Sequence, residues 1–116
     1  MSVFTTDARL VLTSVNGPDE AARMGQTLVD EQLAACATIL PGAHSIYRWQ
    51  GKVEHAHETL LLLKTTAAQL EPLEARLHAL HGYQTPEFLV LPTEAASRAY
   101  QEWLTSTVRT PVPACG

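Results

Sequence analysis

Five histidines and two cysteines are the side chains in this 116-residue chain best suited to hold a metal ion or move a proton. His44, His55 and His57 flank the pair Gln50-Gly51. If that pair is a two-residue turn, Trp49 faces Lys52, Ile46 faces His55 and His44 faces His57. Directly opposed side chains stand ~4.5–5.5 Å apart at Cβ. The two-residue period of a strand then puts His44, His55 and His57 on one sheet face. Three imidazoles there can bind a divalent ion. The same spacing also describes solvated edge histidines, or histidines covered by a subunit contact, and a turn of another length dissolves the cluster. His78 and His81 are three apart at a predicted helix end, where imidazole also complements the helix dipole. Cys36 lies among small apolar residues in LAACATIL and reads first as a buried hydrophobe. Cys115 stands in the terminal TPVPACG. No CxxC pair, HExxH pattern or Gly-rich phosphate loop occurs, and no nucleophile has a base placed beside it by spacing, so no enzymatic reaction is expected.

The elements that must position these groups are legible in outline. Residues 9–15, RLVLTSV, read as a strand. Pro18 suits a first helical position, Asp19 and Glu20 suit a first turn, and apolar residues at helical spacing carry the pattern over 18–34. ACATIL is a buried-strand run interrupted by Pro41-Gly42 as a bend or bulge. Alternation then continues to Trp49, and after Gln50-Gly51 a second long run ends in TLLLLKTT, which predicts a long β-hairpin. Thr66 and Gln69 have capping-box spacing, but Pro72 would be interior to a helix begun there, so a start nearer Glu71 is the alternative. That helix closes at His81-Gly82. A short strand covers 88–91. A last helix covers 95–107, with Ala99, Trp103 and Leu104, or Ala96, Tyr100 and Leu104, turned inward.

The order strand–helix–strand–strand–helix–strand–helix predicts an α+β fold. Its first six elements spell the ferredoxin-like split βαβ sandwich, with a long hairpin and an extra C-terminal helix added. One domain is expected over 1–116, with a core at about 9–107 and a flexible tail at 108–116. Hydrophobic residues make up 46% and charged residues 17%, a composition that folds. A formal charge of −4 without a basic run argues against nucleic acid and anionic membranes. The apolar runs fall short of the ~20 residues of a membrane helix, and MSVFTTDARL lacks a signal-peptide pattern, which predicts a cytoplasmic protein. Hairpin strands of ~12–15 residues reach ~40 Å or more, beyond a globule of this size. A protruding hairpin bearing Ile46, Tyr47 and Trp49 predicts pairing with another chain.

LAACATILPGAHSIYRWQGKVE, then LLLKTT, then HGYQTPEFLVLP resemble, in order and spacing, the CutA family of divalent-cation tolerance proteins over about residues 9–106. The resemblance implies a ferredoxin-like homotrimer, similar in architecture to PII-type signalling trimers, with the hairpin docked on neighbouring subunits. It implies divalent-metal tolerance, with copper bound by some members and no firmly attached reaction. The family pattern lands on Cys36, Pro41-Gly42, Tyr47, Trp49, Gly51, Lys52, Glu58, Lys64, Thr65, His81, Tyr83, Pro86 and Glu87. Some members carry further cysteines where this chain reads TSVNG and LEARLHALHG, so the thiolates of a Cu(I) cluster are missing.

From these positions His81 with Glu87, His44 with His57, and Cys36 are the candidate metal ligands. Histidine is preferred over cysteine, and Cu2+ or another divalent cation is the expected ion. Lys64, Glu58 and Tyr83 are the candidate lining of an intersubunit ligand cleft, with Lys64 able to neutralise an anion. The same polar residues can instead pin subunits together. Tyr47 and Trp49 are the candidate trimer anchors. Three functions follow: a metal-responsive trimer, a PII-like small-molecule sensor, and a structural scaffold with an indirect metal phenotype.

Overall fold

The computed structural model describes residues 3–4 and 6–109. Its elements in chain order are β1 (Val3–Phe4), β2 (Ala8–Val15), α1 (Pro18–Asp30), β3 (Cys36–Trp49), β4 (Lys52–Thr66), α2 (Leu70–Leu80), β5 (Leu89–Pro92), β6 (Ala96–Ser97) and α3 (Arg98–Thr107). β3-β4-β2-β5 form one antiparallel sheet, and β1-β6 form a separate two-stranded ladder that the sequence did not suggest. The α+β split βαβ plan with a long hairpin and a C-terminal helix is the one observed.

One face of the sheet carries the core. Val11, Val15, Leu61 and Leu63 pack against Ala21, Met24 and Leu28 of α1 and Leu73 and Leu77 of α2, all buried. Gly25 lets α1 approach β3 closely, since a Cβ there would stand 2.9 Å from that of Ala37. α3 reaches the sheet at one end, where Leu104 and Val108 bury against Ala8 and Ala35.

Pairing follows the predicted register. Trp49 faces Lys52, Ile46 faces His55 and His44 faces His57, with a bulge between Leu40 and Ala43 at Pro41-Gly42. Gln50 (φ 51°) and Gly51 (φ 80°) both lie in the left-handed region. That is the pair a two-residue hairpin turn of type I′ needs, because its twist matches that of the strands. The Cα radius of gyration is 15.4 Å and the longest extent 46 Å. A compact domain of this length has a radius near ~13 Å, so the hairpin stands out as an arm.

Two helix boundaries depart from expectation, the end of α1 and the start of α3, while α2 starts next to the Glu71 alternative. α1 ends at Asp30, not residue 34, because Gln32 turns left-handed (φ 59°) and Leu33 N–H returns to Leu28 C=O. Thr66 makes no side-chain cap; a 3₁₀ turn over Ala67–Gln69 leads into α2. Pro72 then falls in the first helical turn, where a missing N–H costs nothing. α3 begins at Arg98 rather than residue 95, and of its predicted inward residues only Leu104 is buried. Trp103 and Tyr100 are 44% and 41% exposed and pack on each other. At the start of the expected tail, Val108 is buried and Arg109 N–H binds Gln32 C=O. Residues 110–116, and Cys115 with them, lie outside the described residues.

Candidate functional site

The segment after α2 is tied to the sheet by its own polar groups. His81 Nε2 lies 2.9 Å from the Ser14 carbonyl oxygen, and Tyr83 N–H donates to His81 Nδ1 at 3.1 Å. A carbonyl only accepts and an amide N–H only donates, so the ring is neutral and carries its hydrogen on Nε2. Tyr83 lies against the same ring, with centroids 4.7 Å apart. Its hydroxyl donates to Glu58 Oε2 at 2.8 Å, and Gly82 N–H donates to Glu20 Oε1.

Charge and burial act on this cluster together. Burial holds the Tyr83 hydroxyl far above its ordinary range, and the bond to Glu58 adds to the effect. Tyr83 therefore stays a neutral donor. Burial also pushes the Glu87 carboxyl up, helped by the negative charge of Glu58. The arrangement keeps the Tyr83 proton on its hydroxyl beside Glu58 and makes ionisation of Glu87 harder.

Both His81 ring nitrogens are engaged here, so a cation held by His81 with Glu87 would have to displace the bond to Ser14 or the bond to Tyr83. Within one chain the residues expected to line a ligand cleft fall into two groups. Glu58 and Tyr83 are bonded, whereas Lys64 lies six residues further along β4, roughly 20 Å at strand rise. Lys64 lines a recess of about 350 Å³ with Arg9, Leu10, Thr93 and Tyr100. Cys36 pairs in register with Lys64, and its Sγ lies 3.7 Å from Thr38 Oγ1. That position is eight residues of β3 away from His44, so within one chain the thiol and the arm histidines are separate groups.

On the arm the three predicted histidines do meet, with a different closest pair. His44 Nε2 lies 3.1 Å from His55 Nδ1, a diagonal contact, while the directly opposed His57 stacks on His44 with ring centroids 5.0 Å apart. All three are exposed. Among the described residues no three His, Cys, Asp or Glu side chains already converge on one point for a metal. His78 is exposed on α2.

The feature missed from sequence is the second face of the sheet. Pairing places Leu10, Leu12, Leu40, Leu60, Leu62, Leu89 and Leu91 on the side away from α1 and α2. None of them is fully buried, and Leu40, Leu89 and Leu91 are exposed. The same face continues along the arm through Tyr47 and Trp49, 45% and 46% exposed. The signal was present in the four successive leucines of TLLLLKTT, since an unbroken apolar run belongs to a strand covered on both sides.

Comparison with known proteins gives one consistent family. The family model described as "CutA1 divalent ion tolerance protein" matches residues 9–107. The "Divalent-cation tolerance protein CutA" of Thermus thermophilus is 45% identical over 95 residues, covering 82% of this chain and 92% of that protein. The "Protein CutA, chloroplastic" of Arabidopsis thaliana is 38% identical over 105 residues, covering 90% of this chain and 58% of that longer protein. The solved structure of CutA from Synechococcus elongatus superposes with a TM-score of 0.88 at 41% identity, covering 93% of this chain and 96% of that one.

Proposed function

The chain belongs to the CutA1 divalent ion tolerance family, and from that premise we propose that it is a non-enzymatic homotrimer that binds divalent cations, Cu2+ among them, in the cell's response to metal. The observation that carries the assembly is the open leucine face running into Tyr47 and Trp49. Seven leucines on one uncovered sheet face exceed what a monomer normally leaves to water. A second copy of the same chain covers such a face at no cost in new sequence. The paired imidazoles on the arm suit a borderline divalent ion. Among the described residues no helix is long and apolar enough to cross a membrane. The cytoplasm is the proposed compartment.

Multi-angle light scattering combined with metal analysis after dialysis against Cu2+ tests both halves. The expected result is the mass of three chains with retained copper. A monomer mass at micromolar protein refutes the assembly, and copper no higher than in dialysis buffer refutes direct binding. The recess carrying Lys64 and Arg9 favours one second reading, a small-anion sensor, for which titration with a nucleotide in place of metal is the discriminating measurement.

A further inference from the structure

We propose that His44 and His55 form a bis-imidazole chelate for a borderline first-row divalent cation on the hairpin arm, with His57 as a third donor; this rests on the reading that the protein binds divalent cations directly. The separation of the two nitrogens carries it. Imidazole binds such ions at ~2.0–2.1 Å, so two donors on one ion stand about 2.9 Å apart at a right angle and about 3.3 Å apart at the tetrahedral angle. His44 Nε2 and His55 Nδ1 are 3.1 Å apart, between those limits, with one hydrogen shared between them on the side an ion would approach. A cation entering there displaces that hydrogen. The donor ring regains a hydrogen on its remote nitrogen through solvent, so the charge on both imidazoles stays neutral.

His57 stands one stacking distance away, 5.0 Å between ring centroids and 30° between planes. Its side chain is exposed, so it can rotate to offer a third nitrogen without disturbing packing. The register leaves Ile46, Arg48 and Val53 as the other residues on this side of the arm, while Glu54 and Glu58 lie on the opposite side. The donor set is therefore all imidazole, without carboxylate or thiolate. Such a set selects Cu2+, Ni2+ and Zn2+ over Ca2+ and Mg2+, and ranks Cu2+ first. The two strands are locked in register by a two-residue turn, which brings the donors together before the ion arrives.

The test is titration of the full-length chain with Cu2+, followed by electron paramagnetic resonance, with Mg2+ as the control ion. Wild type is expected to take one Cu2+ per chain, with a spectrum showing at least two nitrogen donors. His44→Ala and His55→Ala each weaken binding roughly tenfold or more, the scale on which even outer-shell partners of a metal site count. His57→Ala weakens it less, and His78→Ala leaves it unchanged. If both His44→Ala and His55→Ala bind as wild type does, the site lies elsewhere and the chelate is wrong while direct cation binding stands. If wild type takes up no Cu2+, the chelate and the broader reading fall together. All four positions are exposed, and a melting curve for each variant separates loss of fold from loss of ligand.

Discussion

Glu87 resists ionisation because it is partly buried and because Glu58 is negative. A carboxyl whose folded-state pKa lies above its unfolded value holds its proton longer in the folded state. Stability on its account is full below the ordinary value near 4.5 and declines as pH rises through the higher folded value. Glu87→Gln is therefore expected to raise the melting temperature at neutral pH and to lose that advantage near pH 4, measured by thermal melts across pH. An equal effect at both pH values would place the change outside ionisation. Tyr83→Phe removes the hydroxyl that Glu58 accepts from while Glu58 stays buried. Hydrogen bonds to charged groups are worth ~1.5–3 kcal/mol, and a urea-unfolding loss of that size is expected. At this scale the sequence disclosed which residues were polar and how the arm histidines align. It did not disclose that His81 spends both nitrogens on Ser14 and Tyr83, because those partners come from a different strand and from backbone groups.

Elements were legible where a local rule dictated them. Gln50-Gly51 set the turn, the turn set the register, and Pro41-Gly42 set the bulge. Helix ends were less so. The sequence 31–35, EQLAA, contains no glycine to mark the stop of α1, yet Gln32 adopts the left-handed conformation there because Leu33 and Ala35 must meet β4. The predicted inward face of α3 failed for the same class of reason: the helix meets the sheet only through its end. Close approach is also invisible in one dimension. Gly25 sits in the middle of α1, where alanine has the higher propensity, yet its missing Cβ is what admits Ala37. Gly25→Ala is expected to destabilise by about 1–3 kcal/mol despite the better helix residue, since overpacking outweighs propensity. Denaturant melts that showed a gain would mean that α1 can back away from β3.

At the scale of the whole molecule, Leu62 shows why the fold alone was only half the answer. It lies at the centre of the open face, between Thr38 of β3 and Leu12 of β2. Leu62→Glu places a charge in the middle of the proposed subunit contact but leaves the core of α1, α2 and the opposite sheet face untouched. The expected outcome is a folded monomer, read as one-chain mass by light scattering with a retained circular dichroism spectrum. A variant that kept the mass of three chains would move the contact off this face. The apolar run of β4 announced a partner, but the identity of the covering surface lies in no pattern along one chain.

The two-residue turn has a further consequence, for the order of events in time. β3 and β4 are joined with almost no loop to close, so their ladder can zip from Gln50-Gly51 on the ~1–10 μs scale of hairpins. β2 and β5 must arrive from the two distant ends of the chain, and contacts of high sequence separation form slowly. The arm and Leu40, Leu60 and Leu62 are thus displayed on a refolding chain before β2 and β5 add their leucines beside them. During that interval the early strands are the most adhesive part of the polypeptide, and dilution during refolding should raise the yield by separating such intermediates from one another.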